Sequence, residues 1–244
     1  MIVDVPKQAF SLGSPSSEYR IHRNRFVRNA ALSFLGFLLL WLLDIVAGST
    51  LIIMFFALTL LALAGYYLVM LVFKHDLRVI VFPEGITQTV QGSTQVVRWD
   101  DVSCLWERVE EYRFSWTLAY SVWRYTILTY SGERLIFDRT LKDIDAFGQT
   151  LKHKIGERLV PKITATLKTG QSVKFGDLSL SNQGLRYKEK LLTWDELKTI
   201  KVTQGQIYIQ AKRRRWPYFA SLKTRQVPNA FIFLRLMKRY VENY

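Results

Sequence analysis

Between Asn29 and Phe73 the chain carries one formally charged side chain, Asp44, in a run dominated by Leu, Ile, Phe, Ala and Val. A single helix over that run would extend about 67 Å, more than twice the roughly 30 Å hydrocarbon core of a bilayer. Gly48, Ser49 and Thr50 break it near the middle with turn-forming residues. The run therefore reads as a hairpin, with one span from Ala30 to about Val46 and a second from Leu51 to Phe73. A small soluble core rarely needs two such helices in succession, and a transmembrane hairpin is expected.

The flanks set an orientation. Arg20, Arg23, Arg25 and Arg28 precede the first span, Lys74 and Arg78 follow the second, and the intervening loop has neither Lys nor Arg. By the positive-inside rule both termini are expected in the cytoplasm, with the chain a multi-pass protein of the cell inner membrane or plasma membrane. No cleavable signal peptide is expected, because the polar segment before the apolar run is long and a second span follows directly. Asp44 lies only a few residues before the turn and is expected to reach the outer interface, which avoids burying a carboxylate at the bilayer centre. Gly36 and Gly65 mark places where the two helices can approach closely.

Charge divides unevenly along the chain. Of the net +14, residues 74–160 contribute nothing, whereas residues 161–244 carry seventeen basic and five acidic side chains, or +12. Such asymmetry points to an anionic partner for the last third, either a membrane surface or nucleic acid. The single cysteine, Cys104, excludes an internal disulfide and suits a reducing compartment.

Residues up to about Ser17 lack periodicity and read as a mobile tail, so residues 1–29 are assigned as a flexible basic N-terminal segment. After the hairpin the texture changes to short β-rich runs at Leu77–Phe82, Ile86–Val90, Gln95–Arg98, Val102–Val109, Val122–Tyr130 and Arg134–Phe137, separated by Gly-containing turns. Leu141, Ile144, Phe147, Leu151, Ile155 and Leu159 then recur at helical spacing. The order repeats. Strands are predicted at Ile163–Leu167, Ser172–Phe175, Leu178–Leu180, Leu185–Lys188, Leu191–Trp194, Leu197–Val202, Ile207–Gln210 and Tyr218–Leu222. A second amphipathic helix follows Pro228-Asn229, with Phe231, Leu234, Met237 or Lys238, and Val241 on its repeat.

A shared motif ties the halves together. Gly85 is followed by Trp99-Asp100-Asp101-Val102, and Gly184 by Trp194-Asp195-Glu196-Leu197, which reads as an internal duplication with diverged loop lengths. On Gly85, Trp99, Asp100, Gly184, Trp194, Asp195 and the helix that closes each half, the chain resembles bacterial uncharacterised membrane proteins in which a transmembrane hairpin precedes pleckstrin-homology-like (PH-like) domains. That resemblance implies a membrane-anchored α+β fold: two PH-like bent β-sheet domains over residues 77–160 and 161–244, each capped by a C-terminal helix. The hairpin itself spans residues 30–73. The Trp-Asp pairs are expected to be structural, with an indole packed on the sheet and a carboxylate satisfying turn amides.

Little in the sequence suggests catalysis. His22, His75 and His153 are dispersed, no His/Cys spacing fits zinc, and no phosphate-binding glycine loop appears, so neither metal, cofactor nor catalytic residue is assigned. The strongest candidate contact surface is Lys212, Arg213, Arg214, Arg215 and Trp216, followed by Lys223 and Arg225. Consecutive cations beside amphipathic aromatics suit an anionic lipid surface or an acidic protein. The leading reading is a nonenzymatic membrane-tethered binding or scaffolding module. Two alternatives stand beside it: a membrane-bound nucleic-acid-binding regulator, which lacks a recognisable DNA-binding module, and a lipid-modifying enzyme.

Overall fold

The computed structural model describes residues 11–48, 50–113, 119–212 and 218–242. Two long apolar helices precede most of a set of antiparallel sheets, and the architecture is α+β. The helices, α1 (Arg23–Val46) and α2 (Leu51–Phe73), pair into the hairpin expected from the sequence, and each is long and apolar enough to cross a membrane. They meet on small residues. Ala30 and Ser33 of α1 and Ala57 and Ala64 of α2 are buried, and Leu60 packs so near Gly36 that a Cβ there would lie 2.9 Å from its Cδ1. The large side chains point outward instead, with Leu51 85% and Ile52 71% exposed. That arrangement reverses a soluble bundle and suits helices held together by close packing.

Asp44 is satisfied locally. Its Oδ1 accepts a hydrogen bond from the Thr50 backbone N–H at 2.8 Å, closing the reversal between the helices. The carboxylate is 6% exposed and serves an amide that the start of α2 leaves without a helical partner.

The hairpin does not follow a loose tail. Strand β1 (Ser17–Arg20) comes before it and pairs antiparallel with β2 (Arg78–Val81), which comes directly after, so that Ser17 faces Val81 and Arg20 faces Arg78. Leu12 is fully buried against Ile80 and Phe82. The expectation of a flexible segment over residues 1–29 is thus corrected for residues 11–20, which are pinned by backbone pairing and an apolar anchor. The helical hairpin is an insertion between two neighbouring strands.

With β3 (Gly85–Val90) and β4 (Ser93–Arg98), these strands form a sheet in the order β1-β2-β3-β4. A second sheet follows from β5 (Val102–Arg113), β6 (Ala119–Thr129) and β7 (Arg134–Asp138). Helix α3 (Ile144–Lys168) closes the half. The second half repeats the plan. A four-stranded sheet is built from β8 (Val173–Phe175), β9 (Leu178–Ser181), β10 (Gly184–Tyr187) and β11 (Lys190–Thr193). A three-stranded sheet of β12 (Leu197–Thr203), β13 (Gln206–Ala211) and β14 (Ala220–Lys223) follows, and α4 (Ala230–Glu242) ends the chain's described part. Two tight turns are of one kind. Gln91-Gly92 joins β3 to β4 and Gln204-Gly205 joins β12 to β13, all four residues with φ between 51 and 71°, the left-handed pair whose twist matches a two-residue hairpin.

Two expectations around α3 are corrected. The strand predicted at Ile163–Leu167 is the last part of α3, which runs through Pro161 without a break and carries the 160/161 boundary inside it. Pro161 and Glu157, whose carbonyl the proline leaves without a helical donor, both lie on the exposed face, while Ile163 and Leu167 turn inward one turn apart. The β-branched threonines are accommodated by bonding back, as when the Thr166 hydroxyl donates to the Lys162 carbonyl at 3.0 Å. At the other end α3 begins at Ile144, not Leu141. Asp143 adopts φ 55° just before it, and Leu141 forms a β-bridge with Ile21 beside the root of α1.

One buried cluster runs through both halves, from Leu77 to Met237, and includes Leu151, Ile155 and Leu159 of α3 together with Phe233 and Leu236 of α4. Asn229 secures the join. Its backbone N–H donates to the Leu105 carbonyl at 2.9 Å, and its side-chain Oδ1 accepts from the Leu105 N–H at 2.8 Å. It thereby mimics one more rung on β5.

Within α3, Gly148 lies directly under the ring of Tyr125, which is 1% exposed. A Cβ at Gly148 would overlap the ring. Replacing a helix-interior glycine with alanine ordinarily stabilises by about 0.5–1 kcal/mol. Here Gly148→Ala is expected to destabilise by about 1–3 kcal/mol, as an overpacked core does, read as a lowered midpoint in urea unfolding. A raised midpoint would mean that Tyr125 moves aside freely.

Candidate functional site at the root of the helical hairpin

The two Gly/Trp motifs occupy matching places in their sheets. Gly85 faces Arg98, the residue before Trp99; Gly184 faces Thr193, the residue before Trp194. Each indole N–H donates to a carbonyl in the turn ahead of its glycine, Trp99 to Phe82 at 3.1 Å and Trp194 to Asn182 at 3.0 Å. The glycines are required by close approach of the partner strand. A Cβ on Gly85 would sit 2.5 Å from the Val97 carbonyl oxygen, and one on Gly184 would overlap that of Leu192. Asp100 belongs to the 3-10 turn Trp99–Asp101, with its carboxylate 4.0 Å from Arg158 of α3. Asp195 is exposed in the corresponding turn. These residues hold corners, and none of them lines the clefts at the root of the hairpin.

The predicted basic surface is divided. Arg213, Arg214, Arg215 and Trp216 lie outside the described residues. Lys212 is exposed at the end of β13, its backbone N–H donating to the Glu196 carbonyl at 2.7 Å. Lys223 faces Gln206 across the β13–β14 ladder, and Arg225 follows in a 3-10 turn. Six residues of extended chain separate the level of Gln206 from that of Lys212, about 20 Å. Lys223 and Arg225 are therefore at the opposite end of the hairpin from Lys212 and do not join it in one patch.

Where the helical hairpin meets the sheets, a different set of residues converges. A cleft of about 770 Å³ is lined by His22 and Arg25 at the start of α1, Trp123 of β6, and Arg139, Leu141, Asp143, Ile144 and Asp145 in the β7–α3 connection. The backbone fixes that connection against α1. The His22 N–H donates to the Thr140 carbonyl at 2.8 Å and the Lys142 N–H to the Arg20 carbonyl at 2.8 Å, so β1 and the approach to α3 share bonds. On another side of the same root, Ile21, Arg23, Leu71, Val72 and His75 border a second cleft of about 480 Å³.

Carboxylates brace this root. Asp76, just past α2, accepts backbone hydrogen bonds from Gln91 at 2.9 Å and from Gly92, tying the exit of the hairpin to the β3–β4 turn. Burial alone raises its carboxyl pKa, but those amides outweigh it and hold the group below the usual carboxylate range. Asp138 behaves alike: burial is opposed by the Thr140 hydroxyl and amide and by the charges of Lys74 and Arg124, with a net lowering. Glu18 of β1 lies between Arg20 and Arg78, its Oε1 2.6 Å from Nε of Arg78, and partial burial is outweighed by these two guanidinium groups.

Among the described residues no group of three His, Cys, Asp or Glu side chains is placed to hold a metal ion. Cys104 is half-buried on β5, and burial pushes its thiol pKa up, which disfavours the thiolate a nucleophile requires. The cleft residues were not singled out together by sequence. They come from three segments, near 22–25, at 123 and over 139–145; in the sequence Arg25 reads only as a topology signal, and Leu141 and Ile144 only as part of a helical apolar repeat.

No curated protein and no solved structure matches the chain. The Family of unknown function (DUF6585) matches over residues 4–243, nearly the full length and across both halves of the fold, and the chain belongs to that family.

Proposed function

We propose that the protein is a nonenzymatic, membrane-tethered binding or scaffolding module of two PH-like units, with both termini cytoplasmic and the basic second unit contacting an anionic surface. The observation that carries this reading is the way the hairpin leaves and re-enters through adjacent strands β1 and β2. A pair of spanning helices rooted in one sheet fixes the first unit against the bilayer at two points, which a single flexible linker cannot do. Each half also follows four strands, three strands and a helix, the plan expected of PH-like domains. Tethering of this kind would keep the +12 charge of residues 161–244 close to an anionic leaflet, which supports the reading.

The root geometry supplies a soluble variant for the test. The Ile21 N–H donates to the Leu77 carbonyl at 3.3 Å, so residues 22–76 are replaceable by a short turn that keeps β1 in its sheet. This variant is expected to sediment with vesicles containing phosphatidylglycerol and to be released by salt, while ignoring phosphatidylcholine vesicles. Changing Arg213, Arg214 and Arg215 to Ala is expected to weaken binding by about 3 kcal/mol, roughly two orders of magnitude, at about 1 kcal/mol for each basic residue near an anionic leaflet. Absence of binding by the form that keeps its arginines rejects the lipid surface and leaves an acidic protein as the partner of the second unit.

A further inference from the structure

We propose that the cleft at the root of the hairpin binds the headgroup of a zwitterionic aminophospholipid, a phosphodiester bearing a primary ammonium, and so selects the lipid that surrounds α1. The inference rests on the membrane-tethered reading and assigns it a ligand class at a site separate from the basic second unit.

Depth comes first. Arg25 precedes Ala30, where the apolar span begins, by five residues or about 7.5 Å of helix. The polar layer on each side of a hydrocarbon core is about 5–7 Å thick. The guanidinium of Arg25 and the cleft it lines are therefore level with lipid phosphates.

Charge then selects the class. The cleft presents Arg25 and Arg139 beside Asp143 and Asp145, two charges of each sign, with His22 between the helix and the β7–α3 connection. Among the described residues none of these four charged side chains makes an ion pair or side-chain hydrogen bond, although all four border one space. Opposite charges left apart around a common cavity match a ligand that carries both signs. A purely anionic headgroup would meet the two aspartates unfavourably, and a bare cation would meet the two arginines.

The arrangement also separates the two ends of such a ligand. Arg25 sits on the helix side and donates in the forked geometry that suits phosphate oxygens. Asp143 and Asp145 line the same cleft from the start of α3, where they accept hydrogen bonds from a primary ammonium. A quaternary choline nitrogen offers no N–H for that contact. Trp123 forms the half-buried wall, its ring stacked on Tyr125 at 6.2 Å and 13°, and presents an aromatic face on which an ammonium is favoured. The volume of about 770 Å³ accommodates a glycerophosphoethanolamine headgroup with water.

The test uses the full chain purified in a mild detergent. It is titrated with palmitoyl-oleoyl phosphatidylethanolamine, phosphatidylglycerol and phosphatidylcholine, and bound lipid is counted by native mass spectrometry. Water-soluble glycerophosphoethanolamine serves as the arm that separates a lipid from a free metabolite. Phosphatidylethanolamine is expected to be retained at least tenfold more tightly than either other lipid. Arg139→Ala is expected to lower retention of all three about tenfold. The isosteric double variant Asp143→Asn with Asp145→Asn is expected to lose the preference for ethanolamine while still retaining phosphatidylglycerol. Asparagine tolerates the left-handed backbone at Asp143, and an unchanged thermal transition will show that the variant is folded. Phosphatidylglycerol retained as well as phosphatidylethanolamine by the unaltered chain, or an ethanolamine preference that survives loss of both aspartates, overturns the assignment. Equal binding of the soluble headgroup overturns the lipid source. A protein that stays dispersed without detergent and retains no lipid fails the membrane reading itself, whereas one that requires detergent but shows no preference fails only the headgroup assignment.

Discussion

Deleting residues 1–21 is expected to unfold or severely loosen the first half of the protein, although the deleted residues lie before the first long helix. The deletion removes β1, which covers one edge of β2 through four paired positions, and it removes Leu12 from its pocket against Ile80 and Phe82. It also takes away Tyr19, whose ring meets Phe147 edge-on at 4.9 Å and whose hydroxyl hydrogen-bonds that of Thr150 at 3.1 Å. Leu12→Ala alone is expected to cost about 2–5 kcal/mol, because a fully buried leucine leaves a cavity that its neighbours fill only in part. Losing the strand as well takes away a comparable sum, against a total stability of only about 5–15 kcal/mol. Limited proteolysis in detergent will read the outcome, with cleavage between Leu77 and Ile144 appearing in the truncated chain and not in the intact one. If the truncated chain resists protease and unfolds at the same urea concentration, β1 contributes nothing and the first sheet is self-sufficient from β2 onward.

The second large effect is expected at Asn229. Asn229→Leu leaves the buried Leu105 amide without its acceptor at 2.8 Å and the Ser103 carbonyl without its donor at 3.4 Å. It also forces a branched side chain into φ 52°. A buried amide without a partner costs about 1–3 kcal/mol, and the left-handed backbone adds about 1–2 kcal/mol for a residue other than Gly, Asn or Asp. The total is expected near 3–4 kcal/mol. Asn229→Gly separates the two causes, since glycine accepts the backbone angle and lacks the side-chain bonds; it is expected to recover about 1–2 kcal/mol relative to leucine. Paired urea titrations followed by tryptophan fluorescence will measure both. If leucine and glycine are equally destabilising, backbone strain is absent, and if both match the unaltered protein, the halves are not joined through this residue.

The strand series after the hairpin was legible because local chemistry and final structure agree there. Gly92 and Gly205 sit in two-residue turns, β-branched runs fill the strands between them, and each Trp-Asp motif stands at a corner. The failures have distinct causes. Ser17-Glu18-Tyr19-Arg20 shows no apolar alternation, and its partner β2 lies across the whole hairpin, so nothing local marks it as a strand. Ile163-Thr164-Ala165-Thr166-Leu167 has the alternation of a strand, yet the helix it extends is already formed upstream and the inward positions of Ile163 and Leu167 suit both readings. Tertiary packing decided between them. The cleft at the root was invisible for a related reason: its opposite charges are brought together only when α1, β6 and the β7–α3 connection pack, and none of the three segments carries a recognisable motif.

Placing the helical hairpin between paired strands also imposes an order of events on synthesis. Ser17 and its partner Val81 are separated by the entire hairpin, so β1 leaves the ribosome well before the strand that receives it. At about 5–20 residues per second the gap lasts roughly 3–13 s, longer than most small domains need to fold. During that interval Leu12 and the edge of β1 have no native partner, and the first sheet cannot close until both apolar helices have been made and brought side by side. Completion of the N-terminal unit thus reports that the hairpin has been delivered intact, and a nascent chain whose helices are misplaced is left with an open sheet edge that quality-control proteases can seize.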